Sequence, residues 1–136
     1  MVGLGLVDFS SMQARTKVVA VVDDDISMLR AADDLLGAHG FATMKFSSAE
    51  EFLGSGAAAQ VDCLLLDIDL SGRSGIELRY KLKSSHPQLP VIFMTALDDE
   101  AVRQQAIRSG CVTLLHKPFP GHQLIKAIES IVRQPE

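Results

Sequence analysis

The chain has 136 residues, 47% of them hydrophobic, and a formal net charge of −4. That length suits one domain around a single core, and the hydrophobic share excludes a disordered chain. No basic block offers a surface for a nucleic-acid backbone, and no run reaches the roughly 18 apolar residues of a membrane span.

Residues 1–15, MVGLGLVDFSSMQAR, read as a loose N-terminal extension, and without a basic start they make a poor signal peptide. KVVAVV (17–22) is an apolar run that ends in three adjacent carboxylates, Asp23, Asp24 and Asp25. A helix is expected over 25–38, with Leu29, Ala32 and Leu36 on one face and Gly40 beyond its end. FATMKF (41–46) alternates and reads as an edge strand. SSAEEFL has the capping-box spacing from Ser47 to Glu50 and opens a short helix. DCLLLD (62–67) is the next strand, and a helix over 75–85 sets Leu78 and Leu82 one turn apart before His86–Pro87 stops it. PVIFMT (90–95) follows, then a helix over 98–109 that opens on Asp98, Asp99 and Glu100 and stops at Gly110. VTLLH (112–116) and a helix over 121–133, with Leu124, Ala127, Ile128 and Ile131 on one face, complete the series. The last residues, RQPE, read as a frayed end or the start of a linker.

Four of the five strands are apolar nearly throughout, as strands covered on both faces must be. The order βαβαβαβαβα implies a parallel sheet with right-handed crossovers and helices on both sides. No repeat, low-complexity tract or second domain is visible. Cys63 and Cys111 lie in apolar contexts and read as free buried thiols, and a soluble cytoplasmic protein is expected.

In such sheets ligands sit beyond the C-terminal ends of the strands. Strand one ends in Asp23 and Asp24, strand three in Asp67, strand four in Thr95 and strand five in Lys117, whereas strand two ends in Phe46 and Ser47. Each has a bland alternative. Asp25 is best explained as a helix N-cap. Asp23 and Asp24 alone suit a solvated turn, Asp67 alone a turn start, Thr95 a helix cap and Lys117 a surface lysine. Their joint fall on one edge favours a site. Three clustered carboxylates need a cation to stay ionised, and oxygen-only ligands favour a hard ion such as Mg²⁺. Metal, ammonium and hydroxyl together neutralise and orient a transferring phosphoryl group, and a carboxylate among them is a competent nucleophile.

VVDDD, LLLDIDLSGRSGIEL, PVIFMTA and LLHKPF, in this order and spacing, resemble the receiver domain of bacterial two-component response regulators. The resemblance covers residues 16–133, leaving 134–136 as a tail or linker start, and SSAEEFL with KPF places it nearest the FixJ-like branch. It implies a flavodoxin-like (βα)5 three-layer sandwich with strand order 2-1-3-4-5. It implies Asp67 as phosphoacceptor, with Gly75 eight residues on. Asp24 would ligate Mg²⁺ directly, Asp23 mainly through water, and Asp69 through its backbone carbonyl. Thr95 would hydrogen-bond the phosphoryl group beside a small Ala96, Lys117 would pair with a phosphoryl oxygen, and Lys117–Pro118 would be cis. A histidine kinase is the implied partner. A phosphorylation-favoured homodimer and a C-terminal DNA-binding domain outside this chain are further implied, with the last helix pair and fifth strand as output face.

Two positions depart from the family. Ser71 stands where proline is usual, four residues after Asp67, and Leu114 stands where Tyr or Phe is usual, three before Lys117. Asp69 adds a carboxyl group near the site. A receiver-like interaction module without phosphorylation is the first alternative reading. LLLDIDLSG also resembles the first motif of haloacid-dehalogenase-type phosphatases, but only Glu129 and Glu136 follow Lys117 as acidic metal ligands, and the strand-one acids would be unexplained.

Overall fold

Five apolar segments become five parallel strands: β1 (Val18–Val22), β2 (Ala42–Phe46), β3 (Cys63–Asp67), β4 (Val91–Thr95) and β5 (Thr113–His116). The computed structural model describes residues 15–71 and 74–132. The expected N-terminal extension, apart from Arg15, and the expected tail lie outside the described residues. The helices are α1 (Ile26–Ala38), α2 (Ala49–Ser55), α3 (Gly75–Ser85), α4 (Glu100–Arg108) and α5 (Gly121–Val132), with a 3-10 turn at Ala57–Ala59. Strand order is β2-β1-β3-β4-β5, so the chain reverses direction across the sheet between β1 and β3.

Alternation along the strands divides the core into two layers. Ala20, Val22, Leu64, Leu66, Val91 and Phe93 face Phe52 of α2 and Leu78 and Leu82 of α3. Val19, Val21, Leu65, Ile92 and Met94 face Leu29 and Leu36 of α1 and Leu124 and Ile128 of α5. Every residue of β3 and β4 is buried, and each such leucine contributes about 1.5–3 kcal/mol of burial. The edge strands β2 and β5 are less covered. α4 buries only Ala106, so it is the most lightly held helix of the described residues.

Local chemistry sets the boundaries. Asp25 caps α1, its side chain accepting from Ser27 N at 2.9 Å, as its N-cap reading requires. Asp99 caps α4 by accepting from the amides of Ala101 and Val102. Gly40 and Gly110, both at φ 86°, supply the left-handed turn after α1 and α4. The start of α2 differs from expectation by one residue. Ser48, not Ser47, is the N-cap and accepts from Glu51 N, while the Glu51 carboxylate reaches back to Ser47 N at 2.7 Å. The two serines and two glutamates allow either register, and β2 runs through Phe46, which fixes the later one. Along α5, Leu124 and Ile128 of the expected stripe are buried with the neighbouring Ile125, whereas its other two members, Ala127 and Ile131, are half-buried.

Cys63 and Cys111 are free. Burial pushes the Cys63 thiol up to about 12 and raises Cys111 as well, so both are inert as nucleophiles near neutral pH. Among the described residues no helix is long and apolar enough to cross a membrane.

Candidate functional site

Because β1, β3, β4 and β5 are neighbours running the same way, their C-terminal ends form one row. Val22 pairs with Leu66, Asp67 with Met94 and Thr95 with His116, so the residues that follow or end these strands meet at one edge. Asp23 is fully buried. Its Oδ1 accepts from Asp25 N at 2.9 Å and its Oδ2 from Lys117 Nζ at 2.7 Å. Asp67 is also buried, accepts from Asp69 N at 3.2 Å, and lies 3.5 Å from the same Lys117 Nζ. One carboxylate oxygen from each of Asp23, Asp24 and Asp67 lies within 4.8 Å of the other two.

The charges feel one another. Burial, then the neighbouring Asp23 charge, pushes the Asp67 carboxyl up to about 6, against a partial pull downward from Lys117. Burial alone would lower the Lys117 ammonium, but its hydrogen bond to Asp23 and the Asp67 and Asp23 charges outweigh it and raise the value. The cluster thus carries more negative charge than one lysine balances. That, with an all-oxygen donor set gathered within 4.8 Å, fits a hard divalent cation.

The other expected residues fall around this group. Thr95 is buried and its Oγ1 accepts from Leu97 N at 3.0 Å, while Lys117 N donates to Thr95 O at 2.7 Å. Ala96 is exposed at the rim. The Lys117–Pro118 peptide is cis. The Asp69 side chain faces solvent. Gly75 donates its amide to Ile68 O at 2.9 Å, and a Cβ on it would collide with Asp67 O. Leu114 is half-buried and lines a cleft of about 240 Å³ with Thr95, Leu97, Val102 and His116.

Two contacts were not legible in the sequence. Asp24 is exposed, yet its Oδ2 accepts from both the hydroxyl (2.8 Å) and the amide (3.2 Å) of Ser71. Arg79 is buried inside α3, and its guanidinium donates to Gly110 O at 3.0 and 2.7 Å and to Leu89 O at 3.5 Å. Burial lowers its pKa, and the carbonyls replace lost water. Its place three residues before Leu82, on the buried stripe of α3, was the available signal.

Residues 19–129 match the family model of the response regulator receiver domain. The chain belongs to that family. The receiver is 37% identical over 117 residues to nodulation protein W of Bradyrhizobium diazoefficiens, covering 85% of this chain and 52% of that protein. It is 33% identical over 118 residues to the transcriptional regulatory protein FixJ of the same organism, covering 87% of this chain and 58% of FixJ. It therefore spans little more than half the length of these relatives. Among solved structures, the BeF3-activated receiver domain of DrrB superposes with a TM-score of 0.80 at 25% identity, covering 88% of this chain and 99% of that one. The fold is the flavodoxin-like receiver fold, with the strand order that the resemblance implied.

Proposed function

We propose that this receiver, spanning residues 16–133, accepts a phosphoryl group on Asp67 from a histidine kinase and passes the signal on through the face formed by α4, β5 and α5. The observation that carries this reading is the position of Lys117 Nζ, 2.7 Å from Asp23 and 3.5 Å from Asp67 at the common strand edge. An Asp67 oxygen attacks phosphorus, the phosphorus–nitrogen bond of the donor breaks, and the released imidazole takes up a proton from solvent. Lys117, already beside Asp67, pairs with a phosphoryl oxygen, and the Thr95 hydroxyl, whose Oγ1 accepts from the Leu97 amide, donates its proton to another. Asp23 and Asp24, with Asp67 and the Asp69 carbonyl, would hold Mg²⁺. A bound Mg²⁺ supplies the charge that lets an anionic phosphoryl group approach three carboxylates. Water reverses the modification, and the domain assists both steps on itself without turning over an external substrate.

Exposed Leu97, Ile107 and Val112 border this output face, and α4 is lightly anchored, which suits a surface that shifts and pairs with a second copy. The relative FixJ is named a transcriptional regulatory protein, which supports a DNA-binding output domain elsewhere in the full-length protein and a cytoplasmic setting. Treatment with acetyl phosphate and Mg²⁺, borohydride reduction of the acyl phosphate and peptide mapping test the reading. Reduction at position 67 is expected. Modification elsewhere would overturn the assignment to Asp67, and no modification at all would favour a receiver-like module that works without phosphorylation.

A further inference from the structure

We propose that Ser71 is a positioning residue for the cation: it fixes the Asp24 carboxylate in the orientation that binds metal. The inference rests on the metal site proposed above. Two donors of one residue, the Ser71 hydroxyl at 2.8 Å and amide at 3.2 Å, converge on the same oxygen of Asp24. A carboxylate has two oxygens, so holding Oδ2 fixes the plane of the group and leaves the other oxygen for a cation. Asp24 needs such support more than its neighbours do. Asp23 is fully buried and tied to Asp25 N and Lys117, and Asp67 is buried and tied to Asp69 N, whereas Asp24 is exposed. An exposed aspartate samples several rotamers, and binding a cation must freeze one. Hydrogen bonds from the shell outside a metal's ligands meet that cost in advance.

The contact also spans the sheet edge. It ties the end of β1 to the loop after β3, 47 residues apart in sequence. A proline at position 71 has neither an N–H nor a hydroxyl and could make neither bond. The serine therefore gives this chain a direct, side-chain means of orienting its metal ligand.

The test is titration of metal-free protein with Mn²⁺, following the free-ion signal by electron paramagnetic resonance, in wild type, Ser71→Ala and Ser71→Thr. Ser71→Ala is expected to weaken Mn²⁺ binding about threefold to tenfold, at or below the lower end of outer-shell effects because the contact is exposed. Ser71→Thr keeps the hydroxyl and should stay within about twofold of wild type. Both variants should melt in the metal-free state at the wild-type temperature, which separates orientation of Asp24 from general loosening of the loop. Equal or tighter Mn²⁺ binding by Ser71→Ala, or a loss in Ser71→Thr as large as in Ser71→Ala, overturns the inference while leaving the receiver reading intact. Wild-type protein that takes up no Mn²⁺ overturns both.

Discussion

Gly75 faces the backbone carbonyl of Asp67 so closely that a Cβ on it would clash with that oxygen. The same glycine donates its amide to Ile68 O at 2.9 Å, drawing the start of α3 over the end of β3. The spacing of eight residues between them is thus a packing requirement of the loop that carries the proposed phosphoacceptor.

Gly75→Ala should force that loop outward, because the atoms in the way are backbone and cannot rotate aside. A loss of about 1–3 kcal/mol, typical of overpacking, is expected in urea denaturation. An unchanged midpoint would mean that the loop relaxes at no cost.

Asp67→Asn should stabilise the metal-free protein at neutral pH. The Asp67 carboxyl moves from its ordinary 3.8 up to about 6, so the folded state binds this proton more tightly than the unfolded state does. The folded protein is therefore penalised as pH rises from about 4 through about 6, and the penalty is complete at pH 7. Asparagine carries no charge and escapes it, for a gain of about 1–3 kcal/mol at pH 7 that vanishes near pH 4. Paired denaturation curves at the two pH values check both the sign and the window. A variant less stable than wild type at pH 7 would contradict it.

Mg²⁺ affinity should fall as pH drops below about 6, where protons compete for Asp67. Asp24→Ala should weaken Mg²⁺ binding at every pH and leave the metal-free protein at least as stable as wild type, because it relieves repulsion within the acidic cluster. Titration calorimetry at pH 5 and pH 7.5 measures the first effect and thermal melting the second. Equal affinity at both pH values, or in both proteins, would place the ion elsewhere.

Phosphorylation should favour self-association only modestly. Leu114 lines the cleft beside Thr95 and cannot exchange hydrogen-bonded positions as a tyrosine does. A missing aromatic contact removes roughly 1 kcal/mol from the difference between the two states. Leu114→Tyr should then strengthen beryllofluoride-induced dimerisation about fivefold in analytical ultracentrifugation. Complete dimerisation of wild type, unaltered by the substitution, would show that the coupling runs without that side chain.

Much of this was legible in the chain because apolar runs stop abruptly at polar residues. The runs at 18–22, 63–67 and 91–95 fix three central strands, and what ends or follows them, Asp23, Asp67 and Thr95, needs only the parallel order to converge. Lys117 was placed at the edge in the same way, but its nearer partner, Asp23 at 2.7 Å, depends on how far each side chain reaches across the sheet. Ser71 was visible as a departure from the family, yet its bond to Asp24 links segments that no local pattern connects. The α2 cap slipped by one residue because SSAEE satisfies two registers equally. Arg79 was missed because a cation on an apolar stripe is satisfied by the carbonyls of Gly110 and Leu89, which lie in other segments.

The central claim is that Asp67 takes the phosphoryl group. Intact-mass measurement of wild type and Asp67→Asn after exposure to acetyl phosphate and Mg²⁺ tests it most directly. The account predicts one added phosphoryl mass on wild type, its loss on chelation of Mg²⁺ before the donor is added, and no adduct on Asp67→Asn. An undiminished adduct on Asp67→Asn would contradict it.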